Sequence, residues 1–393
     1  MFTAPTIPPI AYVDPWNVSV DDRLSALETG CRRIVYLYGK PDASTFRYRV
    51  FNMVEAIAAT KSRELTASWF SLEELNQANK FIDRSDVLVL CRIKYNAAVN
   101  RLIARAAARG VRVLFDIDDM VFDPDFVHLV VERLEHRLDS EDVWDYWFAD
   151  FARYGATLRL CDGAIATNQF LAERITAVAP WVRAAVVPNF LNWRQQRLSQ
   201  KIFTAKRDSR FARDDKIHIG YFSGTATHKR DFELVTDVLT SVLADDARVV
   251  LRLVGFIEPT GRLQKYRDRF EIYPYQDFIN LQRLIGEVEI NIVPLRNNEF
   301  ANCKSELKYF EAAVVGTNTV ASPTFAFRNA IEDGKTGHLA AAHQWGTKIQ
   351  YILESLETRE DYISMAERAF EVCNDSYGWD RQAPLIEKAT FSG

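Results

Sequence analysis

Residues 303–322 read CKSELKYFEAAVVGTNTVAS, and the pattern changes period halfway along. Leu307, Phe310 and Val314 recur at helical spacing and mark one apolar stripe. The stretch ends in NTVAS, short, β-rich and without apolar/polar alternation, which reads as a buried strand. A helix feeding a buried strand is one unit of a doubly wound α/β sheet. With Asn302 as its cap, the helix places Lys304 in the first turn. There the lysine faces the positive end of the dipole, at a cost of about 0.3–1 kcal/mol. A bound anion would offset that cost, so the stretch predicts a negatively charged ligand. Lys304, Lys308 and Glu311 share the polar face, which also reads as plain surface ion pairing of about 0.3 kcal/mol per pair. The preceding VPLRNNEF directly follows a strand, which puts the helix start at the strand ends rather than on an outer surface.

The same alternation extends in both directions. RRIVYLYG, TASWF, DVLVLCR, VRVLFDIDD, GAIAT and AAVVPNF are the candidate strands of the first half. KIHIGYFSG, RVVLRLVG, FEIYPY, EINIVPL and NTVAS are those of the second. Helical stretches such as NAAVNRLIARAAARG, closed by a glycine, lie between them. Strands without apolar/polar alternation, separated by helices, predict parallel sheets covered on both faces. Residues 194–216, RQQRLSQKIFTAKRDSRFARDDK, are highly charged and poor in apolar periodicity, and read as a linker or domain boundary. The expected organisation is α/β throughout: a Rossmann-like domain at 1–197, a second at 198–375, and a C-terminal helix at 376–393 returning to the first. Ligands of such sheets bind outside the carboxyl ends of the strands, so the expected site is the cleft where the two sets of strand ends face each other.

Bulk properties narrow the class. The 393 residues are 48% apolar and 26% charged, with a net charge of −4, which argues against a general nucleic-acid binder. Cys31, Cys91, Cys161, Cys303 and Cys373 are odd in number and form no CxxC pair, a pattern of reduced thiols in a cytoplasmic protein. The start, MFTAPTIPPIAYVDPW, lacks the basic head and apolar core of a secretory signal. No run approaches the ~18 consecutive apolar residues of a membrane span.

Three stretches after strands carry candidate chemistry. In GYFSGTATHKRDFELV a strand ends at Gly224 and leads through Thr225 and His228 to Arg230 and a helix. A glycine lets amides approach an anion, the helix start adds a favourable dipole, and Arg230 offers a bidentate fork. The plain alternative is a strand-to-helix turn with exposed bases. In YGKPDASTFRYRV, Gly39, Arg47 and Arg49 follow the first strand and suit an anion, or else make surface ion pairs. FDIDD holds Asp116, Asp118 and Asp119. Its DxD resembles the metal-binding carboxylates of GT-A transferases and also the start of a phosphatase nucleophile motif. Without a metal, Asp118 or Asp119 would bind acceptor hydroxyls or polarise the nucleophile. Two further features read first as structure. Trp144, Trp147, Phe148 and Phe151 lie on one helical face and suit a core, and Arg101, Arg105 and Arg109 suit a solvated face. Together they also allow peripheral attachment to a membrane.

GYFSGTATHKRDFEL, LRLVG, INIVPL and KYFEAAVVGTNTVAS, with AIATNQFLAERI and VVPNF upstream, resemble the GT-B glycosyltransferases, in particular glycosyltransferase family 4. Glu311, Gly316 and Val320-Ala321-Ser322 fit the family's donor-site pattern, Pro188-Asn189 its Pro-Asn signature, and EDGKTGHL its closing turn. The first of the family's paired glutamates falls on Cys303, its arginine after the first glycine on Thr225, and a common histidine on Asp118. The resemblance implies two Rossmann-like domains and a nucleotide-sugar co-substrate, with no other cofactor and no metal. It implies transfer with retention to a glycan acceptor, lipid-linked or free, in surface polysaccharide or lipopolysaccharide assembly. The enzyme would be cytoplasmic, soluble or peripheral at the inner face of the membrane. Gly224, Thr225, His228, Arg230, Lys304, Ser305, Lys308 and Glu311 would bind the donor. Gly39, Arg47, Arg49, Asp119 and Asn189 would border acceptor and phosphate, and Arg230, Lys304, Glu311 and Asp118 would act in catalysis. A sugar-nucleotide epimerase on the same scaffold and a non-catalytic nucleotide-sugar-binding subunit are the rival readings.

Overall fold

The computed structural model describes residues 1–4, 6–28, 30–60, 64–132, 139–224, 229–257 and 261–392. By its contacts the chain forms two compact units. The N-terminal unit comprises Val13–Asn192, Asn302–Ser305 and Gly378–Gly393; the C-terminal unit comprises Met1–Tyr12, Trp193–Ala301 and Glu306–Tyr377.

The N-terminal unit is built on a parallel sheet of β1 (Arg32–Tyr38), β2 (Leu65–Ser71), β3 (Val87–Cys91), β4 (Arg112–Ile117), β5 (Gly163–Ala166) and β6 (Arg183–Val186), in the order β2-β1-β3-β4-β5-β6. Central strand β3 is buried along its whole length, which is why it lacks alternation. The strand order reverses between β1 and β3, making a crevice at their carboxyl ends. The helix Ala97–Ala108 is capped by Asn96, whose Oδ1 accepts from Val99 N at 2.9 Å. It buries Val99, Leu102, Ile103 and Ala106, leaving Arg101, Arg105 and Arg109 exposed. The helix Glu141–Leu158 departs from expectation. Of its aromatic face only Phe151 is buried, whereas Trp144 and Trp147 are half-buried and Phe148 is exposed. Its C-terminal half packs through Phe151, Tyr154 and Leu158, while the first two turns carry exposed Glu141, Asp142 and Asp145.

The C-terminal unit repeats the plan with β7 (Ile217–Ser223), β8 (Val249–Gly255), β9 (Phe270–Tyr273), β10 (Ile290–Val293), β11 (Asn318–Ala321) and β12 (His338–Leu339), all parallel, in the order β12-β11-β10-β7-β8-β9. Its order reverses between β7 and β10. Gly255, at φ +99°, is required where β8 ends: a Cβ there would sit 1.8 Å from the Ser223 carbonyl oxygen.

The segment read as a linker or domain boundary is the helix Trp193–Asp208, which begins where the chain enters the long stretch of the C-terminal unit. It buries Leu198, Ile202 and Phe203, and Phe203 stacks on Phe370 at 3.7 Å. It also buries Gln195, Gln196, Ser199 and Lys206, so its inner face is half polar and its apolar period is invisible. Lys206 is fully buried. Its Nζ donates to the carbonyls of Val315 at 2.7 Å and Gly316 at 3.0 Å, closing the end of the helix Leu307–Ala313, where Gly316 takes φ +65°. Burial pushes the Lys206 ammonium well below its ordinary pKa. All five cysteines are free thiols, and only Cys31 is exposed. Among the described residues no helix is long and apolar enough to cross a membrane.

Candidate active site

FDIDD closes β4, and each of its carboxylates takes a different partner. Asp116 is fully buried and forms a two-pronged pair with Arg49, at 2.8 Å from Nη2 and 2.9 Å from Nε. Burial pushes the Asp116 carboxyl up and Arg49 opposes it. Arg49 also donates to the Val187 carbonyl at 2.7 Å and to Asn189 Oδ1 at 3.3 Å. Arg47 is buried as well, with its guanidinium 3.9 Å from the Tyr48 ring centroid. Both arginines are buried rather than on a surface loop, because the chain after β1 turns inward as the wide helical turn Arg47–Phe51. Gly39 stays at the end of β1, half-buried, with its carbonyl accepting from Leu72 N at 3.3 Å.

Asp118 and Asp119 face one another across Arg92, the residue that follows β3. Asp118 accepts from Thr45 Oγ1 at 2.7 Å and from Arg92 Nη1 at 3.0 Å. Asp119 lies 3.7 Å from Arg92 Nη1 and accepts from Lys304 Nζ at 3.2 Å. Burial opposes the charge on Arg92, but Asp118 and Asp119 outweigh it and hold the guanidinium above its ordinary pKa. Anion and cation therefore alternate from Asp118 through Arg92 and Asp119 to Lys304, at the crevice where the strand order reverses. Arg92 sits at φ +50°, an uncommon conformation for arginine that aims the end of β3 at this network.

Lys304 is not in a helical first turn. A four-residue helix, Glu299–Asn302, ends before it, and the next begins at Leu307 with Glu306 at its cap position. The dipole argument for an anion at Lys304 accordingly does not apply. The cause is tertiary. Asn168 Nδ2 donates to the carbonyls of Cys303 at 3.1 Å and Lys304 at 3.2 Å, and Asn189 Nδ2 donates to Ser305 Oγ at 3.0 Å. The side chains of Asp119, Asn168 and Asn189, from the ends of β4, β5 and β6, hold the segment open.

In the C-terminal unit Gly224 is exposed at the end of β7, and Arg230 is half-buried in the first turn of the helix Lys229–Asp245. Thr225 and His228 lie outside the described residues. Asp231 is buried and accepts from Arg296 N at 3.0 Å, tying the chain after β10 to this helix start. Lys308 and Glu311 share the helix Leu307–Ala313. The Lys308 ammonium lies 5.2 Å from the Tyr221 ring. Glu311 is buried, accepts from Gln195 Nε2 at 2.9 Å, and its carbonyl accepts from Gln282 Nε2 at 2.6 Å. Among the described residues no group of three or more His, Cys, Asp or Glu side chains is placed to hold a metal ion.

Sequence reasoning passed over Thr45, Arg92, Asn168, Gln195 and Asp231. Arg92 carried a usable signal, a lone charge directly after the apolar run DVLVLC. Asp231 carried another, a carboxylate in the first turn of a helix.

Two parallel Rossmann-like sheets in tandem, each with its crevice at the strand ends, define the GT-B architecture. Sucrose-phosphate synthase from Thermosynechococcus elongatus shares it, with a TM-score of 0.61 over 91% of this chain and 98% of that one, at 14% identity. A glycosyltransferase from Rickettsia africae gives 0.59 over 92% and 100%, at 12% identity. HepE from Anabaena, solved in complex with UDP, gives 0.57 over 91% and 98%, also at 12%. Residues 216–356 match the family model of the glycosyl transferases group 1. No curated protein sequence matches the chain. The chain therefore has the GT-B fold, and the stretch of it that resembles the glycosyl transferases group 1 lies within the C-terminal half.

Proposed function

We propose that this protein is a metal-independent glycosyltransferase that moves a hexosyl unit from a nucleotide sugar to a carbohydrate acceptor, with retention. The observation that carries the reading is the coincidence of the group 1 match at 216–356 with a sheet whose β7 ends at Gly224 and leads to Arg230 at a helix start. In the reaction the bond between the anomeric carbon and the diphosphate oxygen breaks while one to an acceptor oxygen forms. The catalyst must stabilise charge on the departing diphosphate. Arg230, Lys304, Ser305 and Lys308 take that charge, and Gly224, Thr225 and His228 contribute to donor binding. Glu311 accepts ribose or sugar hydroxyls, Asp118 and Asp119 meet the acceptor, and Gly39 and Asn189 border it. The physiological setting is surface polysaccharide assembly at the cytoplasmic face of a membrane, on an acceptor that is lipid-linked or free.

UDP sugars are the first donors to test, because HepE is described in complexes with UDP and with UDP-glucose. Release of nucleoside diphosphate would be followed with and without glycan acceptors. Charge-assisted hydrogen bonds contribute about 1.5–3 kcal/mol, so Arg230→Ala and Lys304→Ala should each lower kcat/KM by roughly 10- to 100-fold. Near-normal kinetics in both variants would refute the assignment. Isomerisation of the donor without any acceptor would identify an epimerase.

A further inference from the structure

We propose that Asn168 is a positioning residue of the donor site, a single side-chain amide that fixes the backbone carrying Lys304 and Ser305. The inference rests on the donor-binding role of those two residues. Asn168 follows β5 in extended backbone, at φ −150° and ψ 168°, and is 7% exposed. Its Oδ1 accepts from Leu171 N at 2.9 Å and caps the helix Gln169–Val178. Its Nδ2 donates at once to the carbonyls of Cys303 and Lys304, at 3.1 and 3.2 Å. The cap fixes which way the amide points. Turned over, its NH2 would face the Leu171 N–H and its oxygen would face two carbonyls, so the donor edge is committed to the 303–304 backbone.

Residues 303–305 lie between two short helices and cannot order themselves. Asn168 joins this backbone to a helix start, Asn189 holds the Ser305 hydroxyl at 3.0 Å, and Asp119 pairs with the Lys304 ammonium at 3.2 Å. A cation and a hydroxyl fixed before ligand arrives bind a diphosphate without the entropy loss of ordering them. Asn168 thus acts through Lys304 and Ser305.

The variant Asn168→Asp separates capping from positioning. Aspartate is as good a cap as asparagine, but its second oxygen would face the Cys303 and Lys304 carbonyls with no proton to offer. The melting temperature should fall by several degrees but the variant should remain folded, because the cap survives while the buried carboxylate is left facing two carbonyls. Backbone amide exchange over 302–306 should quicken, and the Kd for the sugar nucleotide should rise about tenfold. Combined with Lys304→Ala, the same change should weaken binding by less than it does alone, because one of the two groups it positions is gone. Asn168→Ser, which keeps a cap but is too short to reach the carbonyls, should behave alike and serves if the aspartate fails to fold. Unchanged exchange and unchanged Kd in a folded variant would overturn the inference, as would an undiminished loss in the Lys304→Ala background. A wild type that binds no sugar nucleotide would instead overturn the donor reading, and quickened exchange would then still establish that Asn168 orders the segment.

Discussion

At Arg49 the residue type and its surroundings point in opposite directions. A guanidinium in a loop after a strand suits a phosphate, yet this one is fully buried against Asp116. Removing one member of a buried pair strands the other charge in a low dielectric, at about 3–5 kcal/mol. Arg49→Met should therefore lower stability by about that amount in urea titrations, and adding Asp116→Leu should restore part of the loss. Unaltered stability with weakened nucleotide binding would return Arg49 to the phosphate site. Burial decides this pair, and burial at a single loop residue is not written in its neighbours. Lys304 shows the same limit. Its place near a strand end was legible from VPLRNNEF, but its non-helical backbone was not, because Asn168 and Asn189, more than 100 positions away, determine it.

Elements were legible in proportion to how purely apolar their buried faces are. The longer strands were readable because parallel strands covered on both sides become runs rich in Val, Ile and Leu, whereas the two-residue β12 (His338–Leu339) was not among the candidates. The helix Trp193–Asp208 was not, since it buries Gln195, Ser199 and Lys206 alongside Leu198, Ile202 and Phe203. If it is a core helix, Phe203→Ala should cost about 3–5 kcal/mol, measured by denaturant midpoint at constant slope. A solvated linker would show a change within about 0.5 kcal/mol. The helix Glu141–Leu158 failed in the opposite sense. Its aromatic face looks like a core stripe, but Phe148 is exposed and Trp144 and Trp147 are half-buried while Phe151 is fully buried, and no local pattern records that change in burial.

For the whole molecule, sequence order gave the tandem α/β plan but not the course of the chain between units. Asn302–Ser305 folds with the N-terminal unit although both flanking segments belong to the other. So CKSELKYFEAA, one motif in the sequence, is shared between two bodies: Lys304 contacts Asp119, while Glu311 contacts Gln195. The proposed function requires that this fold bind a nucleoside diphosphate sugar through basic groups at its strand ends. The most direct test is the melting temperature of the purified protein against UDP, GDP, dTDP and their sugars, repeated for Arg230→Ala and Glu311→Gln. A ligand at 100 times its Kd stabilises the folded state by about 2.7 kcal/mol. A clear rise is expected with one nucleotide series, reduced in both variants. A wild-type melting temperature unmoved by every nucleotide in the panel would contradict it.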